Sequence, residues 1–471
     1  MLFNTIDYII FLPLVVMFYY LLPVRFRWML LLSASYFFYM CWKVEYILLI
    51  IISTLIDYLC GRVMGRYSEK KKRRPFLIIS LIANFGLLFF FKYYNFAVVN
   101  LNELFEALHF TAYIKASSIL LPVGISFYTF QTVSYSIDVY NGKQEPEKHL
   151  GYFALYVSFF PQLVAGPIER FSSLTPQLKQ NHPFEWKNVR AGLQLILYGL
   201  FIKMVIADNV SAYVDKLYES PADFNSLSIM SGLFLYSFQI YSDFSGYSTV
   251  AIGSALLLGV HLMDNFKTPY LSKNIAEFWQ RWHISLSTWF RDYVYIPLGG
   301  NRVGKRRWAF NIMMVFTLSG LWHGSNWTFI FWGGFFGVIY LIEHFFNKRF
   351  PTINPVKPFS VKHLLLALKT FILVTLIWVF FRSQTISESF VVLKSLFVNG
   401  FLTGQSLNIP LHVWIFLGIF IVSDLLLYNK RFDTWTSSQN FVLRWFIYAL
   451  LLFLIIACSG VEIFQFIYFQ F

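Results

Sequence analysis

Apolar residues are gathered into long blocks along this chain, as in "YIIFLPLVVMFYYLL" at 8–22 and "YALLLFLIIAC" at 448–458. A helix needs roughly 20 such residues to cross a hydrocarbon layer, and blocks approaching that length recur from Asn4 to Cys458 with polar turns between them. They predict spans near 4–22, 28–42, 44–60, 76–98, 117–137, 150–165, 191–207, 227–243, 246–263, 309–323, 326–346, 363–381, 411–428 and 442–458. The strands of a membrane barrel would alternate apolar and polar positions, and these blocks do not. The pattern predicts an all-α polytopic membrane protein, with residues 1–471 forming one membrane-embedded domain.

The pattern breaks once, over 264–308. "DNFKTPYLSKNIAEFWQRWHISLSTWFRDYVYIPLGGNRVGKRRW" is too polar to span yet rich in Trp, Tyr and Phe. Aromatics mixed with charges suit re-entrant or interfacial helices. Irregular backbone at membrane depth is tolerated only where protein buries it or where it lines a cavity, so a cavity is expected beside this segment. No internal repeat is visible, which argues against a transporter built from repeats.

Composition sharpens the class. The chain is 57% hydrophobic and 13% charged, with a mean hydropathy of +0.57, against about 25% charged residues in soluble domains. The net charge of +14 resides largely in short loops. "GRVMGRYSEKKKRR" at 61–74 holds seven Lys or Arg against one Glu, and "NRVGKRRW" at 301–308 holds four with no acid. Such loops stay on the cytoplasmic side. They therefore place the amino terminus outside and give no reason to expect nucleic acid as a partner; an anionic lipid or polyanion site is the alternative reading of the same charges. The first segment, "MLFNTIDYIIFLPLVV", lacks a basic region before its apolar run and is read as the first span rather than a cleaved leader. Cys41, Cys60 and Cys458 show no metal or disulfide spacing.

Against this background a titratable group at membrane depth demands a reason. "LSGLWHGSNWTFIFWG" at 318–333 places His323 at the end of a predicted span, within a pair of helices expected over 309–346. Gly320, Gly324 and Ser325 leave room beside it, Trp322 and Trp327 could wall it, and Asn326 could orient a donor or satisfy the ring. Burial favours the neutral imidazole that a general base requires. A histidine bonded to a neighbouring helix is the structural alternative.

His283 sits in "FWQRWHISLSTWFRDY", where helical spacing would bring Trp279, Trp282 and Trp289 near it and leave Arg291 and Asp292 about two turns away. Asp243, in "SFQIYSDFSGYS", is costly in a span unless paired. "PLGGNR" at 297–302 reads as a turn, as does "FPQLVAGPIERF" at 160–171, with Glu169 and Arg170 at its exit.

Together with "LPVGISFYTFQTVSYSIDVYNG" at 121–142 and the terminal "FIYFQF", these segments resemble the membrane-bound O-acyltransferase superfamily, in its bacterial branch typified by the membrane subunit of alginate O-acetylation. The resemblance covers nearly the whole chain. It implies a ring of tilted helices around a thinned central funnel and tunnel, with His323 as the essential histidine of a "WHG" motif and His283 as the second histidine, in "WHIS". It implies transfer of an acetyl or similarly small acyl group from a cytoplasmic thioester to a hydroxyl outside, without a metal or permanently bound cofactor. Acetyl-coenzyme A is the expected donor, its phosphates attracted by Arg302, Lys305, Arg306 and Arg307. Trp322, Asn326, Trp327, Asp243, Trp282 and Arg291 are candidate substrate or tunnel residues.

The resemblance also implies an SGNH hydrolase-like partner outside the bacterial inner membrane, which completes transfer to a polysaccharide acceptor; this chain carries no long extramembrane segment to do so. D-alanyl transfer to teichoic acid is the rival within the superfamily, and an exporter without covalent chemistry the rival outside it.

Overall fold

The computed structural model describes residues 1–164, 166–349, 356–459 and 466–467. Its helices group into two compact units, Met1–Leu193 with Ala251–Met263, and Gln194–Val250 with Asp264–Phe471.

The first unit opens with α1 (Ile6–Leu21), α2 (Val24–Met40), α3 (Ile47–Met64), α4 (Lys70–Leu88) and α5 (Tyr94–Ala107). It continues with α6 (Ile125–Asn141), α7 (Leu150–Ser158), α8 (Phe160–Leu163) and α9 (Phe171–Lys179). The span predicted at 117–137 is displaced toward α6. Gly124 precedes that helix at a φ of +75° and Gly142 follows it at +73°, and left-handed backbone of this kind, readily available only to glycine, delimits the helix at both ends. Asp57 is fully buried where α3, α4 and α6 pack. Its carboxylate accepts hydrogen bonds from Ser80 at 2.5 Å, Asn84 at 2.8 Å and Ser136 at 3.2 Å, which satisfy a charge that apolar packing alone would not tolerate. The segment predicted as a turn at 160–171 opens with the one-turn helix α8, and buried Glu169, before α9, accepts the Met263 N–H at 2.6 Å.

Two helices extend across the division between the units, α10 (Trp186–Leu200) and α12 (Ser226–Leu257), with α11 (Asp208–Glu219) between them. The second unit adds α13 (Ile275–Arg281), α14 (Ile284–Phe290), α15 (Lys305–His323), α16 (Trp327–Arg349) and α17 (Val361–Arg382). It ends with α18 (Ile386–Val398), α19 (Leu411–Leu426), α20 (Phe432–Ser437) and α21 (Phe441–Cys458). Side-chain oxygens cap several of these helices: Asn274 accepts from Glu277 N–H at 2.8 Å, and Asn440 from Leu443 N–H at 2.9 Å.

One helix corrects the expected spans. Residues 227–243 and 246–263 were predicted as two crossings, broken by the polar run around Asp243 and Gly246, but α12 is continuous over 32 residues. Its hydroxyls bond back to their own helix, Ser237 to the Leu233 carbonyl at 3.1 Å and Thr249 to the Ser245 carbonyl at 2.6 Å. A polar residue satisfied in this way does not break a helix. Gly246 marks a close approach: a Cβ added there would stand 2.8 Å from the Gly199 carbonyl oxygen of α10.

The chain is a multi-pass α-helical membrane protein. Among the described residues, six helical segments are long and apolar enough to cross a bilayer: 44–64, 70–107, 186–219, 327–346, 361–382 and 441–458. Shorter apolar helices lie at 6–21 and 411–426, and the other predicted spans fall on helices that are shorter or more polar. Exposed apolar side chains such as Leu21 and Val442 mark surfaces suited to lipid rather than water.

Candidate active site

The site belongs to the second unit and begins with how closely α15 and α16 meet. A Cβ on Gly320 would run into the Phe329 carbonyl oxygen, and one on Gly333 into that of Phe316. Small residues that let backbones touch are the usual means of locking transmembrane helices together. The bend between the helices is set by Gly324, against which the Phe329 ring packs, and by Asn326. Asn326 accepts the Thr328 N–H at 3.1 Å and donates to the Gln384 carbonyl at 2.7 Å. It therefore shapes the start of α16, where the sequence offered it as a substrate or ring partner.

His323 is the last residue of α15 and is 2% exposed. Aromatic rings enclose it edge to face: Trp322 at 4.9 Å between centroids, Trp332 at 5.0 Å and Phe381 at 5.4 Å. Trp327, expected as a wall, opens α16 with 47% of its surface exposed. The buried wall instead includes Trp332 from the next turn of α16 and Phe381 from α17. The indole N–H of Trp332 is buried and meets no acceptor among the described residues.

His283 lies 6.2 Å from His323, ring to ring, and is fully buried. It does not sit within a helix, as regular spacing around it had predicted. It falls between α13 and α14 at a φ of +43°. A non-glycine residue held there carries strain of order 1–3 kcal/mol, sustained only where surrounding bonds fix it. The flanking backbone supplies them: Lys267 N–H donates to the Arg281 carbonyl at 2.9 Å, and Ile284 N–H to the Asn265 carbonyl at 3.0 Å. The Asn265 side chain also accepts from the Ser285 hydroxyl at 2.9 Å. Phe244 packs edge-on at 4.7 Å and Trp322 lies 5.8 Å away, so Trp322 is shared by both imidazoles. Burial pushes the imidazole of His283 down to about 3, which keeps it neutral.

The break at His283 separates the residues expected around it. Trp282 turns into an aromatic cluster, 5.0 Å from Trp378 and 5.5 Å from Phe278. Arg291 is exposed and pairs with Asp292 at 2.8 Å, away from any buried wall.

Asp243 is in neither imidazole's immediate surroundings. It binds Lys203 at 2.7 Å, which also binds Asp208 at 2.6 Å, in a buried three-membered ion cluster. The N–H of Ile467 donates to Asp243 at 2.7 Å, and Phe466 packs on Tyr247 at 4.6 Å and Phe244 at 5.7 Å. Asp243 thus holds Ile467, and with it Phe466, beside the Phe244 ring that contacts His283. Among the described residues, no group of three or more His, Cys, Asp and Glu side chains is placed to hold a metal ion.

Two buried imidazoles in a site walled by indoles, of which the Trp332 N–H meets no acceptor among the described residues, can take a proton from a hydroxyl and stabilise the oxyanion that forms when that oxygen attacks a carbonyl.

Residues 147–382, which include both histidines, match MBOAT, the membrane-bound O-acyltransferase family. The chain is 40% identical to the probable alginate O-acetylase AlgI of Pseudomonas syringae pv. tomato, over 80% of this chain and 71% of that protein. It is 36% identical to the peptidoglycan O-acetyltransferase of Helicobacter pylori, over 84% and 80%. The teichoic acid D-alanyltransferase of Bacillus subtilis is 31% identical over 48% of this chain and 60% of its own.

Proposed function

Because the chain belongs to the membrane-bound O-acyltransferase family and is an O-acyltransferase, we propose that it transfers an acetyl group from a cytoplasmic thioester to a hydroxyl outside the bacterial inner membrane, leading to O-acetylation of a polysaccharide. The observation that carries this reading is the pair of buried imidazoles within 6.2 Å of each other.

In this reading neutral His323 removes the proton of the acceptor hydroxyl as its oxygen attacks the thioester carbonyl. The oxyanion that develops is met by donors around His283 and by the Trp332 N–H. Collapse of the tetrahedral intermediate expels the thiolate, which takes the proton held on His323, so the imidazole is neutral again for the next cycle. Aromatic walls exclude water, which would otherwise compete for the acyl group.

Acetyl-coenzyme A is the proposed donor, and the exposed Arg302, Lys305, Arg306 and Arg307 are suited to attract its phosphates. The amino terminus is proposed to lie outside. An SGNH-like partner is proposed to carry the acetyl group onward to the polymer. Acetyl is preferred over D-alanyl because the acetylase match extends over 80% of the chain and the D-alanyltransferase match over 48%.

The test is the acetyl content of exported polysaccharide in cells carrying His323→Ala, with the variant's membrane level measured in parallel. Acetyl lost while polymer export and protein level persist supports the reading. Unchanged acetylation removes His323 from the mechanism, and loss of export itself points to a transporter.

A further inference from the structure

A concavity lies in the first unit, where α3 ends and the turn after α6 passes beside it. It encloses about 380 Å³ and is lined by Arg62, Arg66, Arg73 and Lys148, with Glu145 as its one acidic side chain. The backbone builds it. Gly142, in the left-handed conformation, turns the chain out of α6, and Pro146 then packs so closely on Gly65 that a Cβ there would collide with its ring. That contact brings Lys148 opposite the Arg62 and Arg66 of the α3 end.

Beyond Glu145, two nearby acids are committed elsewhere. Glu147 is buried and pairs with Lys179 at 2.5 Å, and Glu69 pairs with Lys72 at 2.7 Å. Arg73 is held by the Tyr67 carbonyl at 2.6 Å and the Val139 carbonyl at 3.2 Å, which fixes its guanidinium at the rim. Arg62, Arg66 and Lys148 pair with no carboxylate among the described residues. Topology-setting charges need only point into water, as exposed Lys71 and Arg74 do. Four cations converging on one cavity go beyond that role.

We propose that this pocket binds a phosphate ester. Guanidinium groups on two successive turns present forked donors to phosphate oxygens, and a lysine on the facing wall adds a point charge. Two sources share this chemistry, the headgroup of an anionic phospholipid and the phosphates of a soluble nucleotide-like molecule. The pocket shares no residue with the histidine site and does not depend on which acyl group that site transfers.

The experiment is native mass spectrometry of the purified full-length protein titrated with dioctanoyl phosphatidylglycerol, with dioctanoyl phosphatidylcholine, and with adenosine 3′,5′-bisphosphate. Arg62→Gln/Arg66→Gln is compared with Lys71→Gln/Arg74→Gln, which removes the same charge from the start of α4, outside the cavity. The pocket variant should lose about tenfold or more in affinity for its phosphate probe while the control keeps it. Lys148→Gln, on the opposite wall, should weaken the same probe. Preference for phosphatidylglycerol over phosphatidylcholine, undisturbed by the bisphosphate, identifies a lipid headgroup; displacement by the bisphosphate identifies a soluble ester. Equal losses in the two double variants, or no loss in either, would overturn the proposal.

Discussion

His283 and His323 lie 6.2 Å apart, and each stands at the end of a helical stretch rather than inside one. A helix interior would tie both residues to a regular rise and rotation. At their breaks, the two rings can approach through backbone that turns away on either side. The arrangement makes separable predictions for the rings, the strained turn, the ion cluster and the helix contact that frame it.

Trp332→Phe keeps the aromatic wall beside His323 and removes only the buried N–H. If that N–H meets the oxyanion, kcat for acetyl transfer should fall by about 10²-fold with KM little changed, the pattern of a lost transition-state donor. Initial rates in proteoliposomes give both constants. An unchanged kcat would leave Trp332 a packing residue.

The neutrality of His283 has a sign in stability. Its imidazole is depressed to about 3 in the folded protein against 6.5 when exposed. The unfolded chain therefore binds the extra proton between those values, and stability falls as pH drops below the upper one. Above it the residue contributes no pH dependence. Melting of detergent-solubilised protein should show His283→Asn, whose side chain tolerates left-handed backbone, losing less stability than wild type between about pH 7 and about pH 5. Parallel curves for the two proteins would contradict the buried, neutral assignment.

Lys203→Met leaves Asp208 and Asp243 buried together without their cation. Breaking a buried ion group from one side costs about 3–5 kcal/mol, so this variant should be nearly absent from membranes. The triple variant Lys203→Met/Asp208→Asn/Asp243→Asn should recover much of the level, because no uncompensated charge remains. Immunoblots of membrane fractions decide between this and a cluster whose loss is harmless.

Gly320→Ala and Gly333→Ala each place a methyl group against a carbonyl of the opposing helix. Both should lower protein level and transfer rate together. Gly334→Ala, the neighbour with nothing within 4 Å of an added Cβ, should be neutral. If all three behave alike, the close approach of α15 and α16 does not matter.

Much of this protein is legible in its pattern. Apolar blocks announced the membrane helices, the polar aromatic run at 264–308 announced a departure from them, and the glycines around His323 announced room for a close approach. What stayed hidden depends on bonds between distant residues. Nothing local at Asp243 reveals that Lys203 satisfies it, so α12 was divided where it runs on. The left-handed turn at His283 is held by Asn265 and Lys267, and regular spacing cannot foresee a conformation stabilised from outside. Trp332 was within the quoted segment but nine residues from His323, and only the closeness of α15 to α16 brings it to the ring.

The paired amides of Lys267 and Ile284 carry one more consequence. They make the position of His283 a property of main chain rather than of the side chains that surround it. In the proposed reading the aromatic lining can then be recut, ring by ring, to suit a different acyl donor or acceptor while the main chain at His283 stays in place. Attempts to redirect the proposed transfer should therefore begin with Phe244, Trp322 and Phe381 and leave the bonds made by the Lys267 and Ile284 amides untouched.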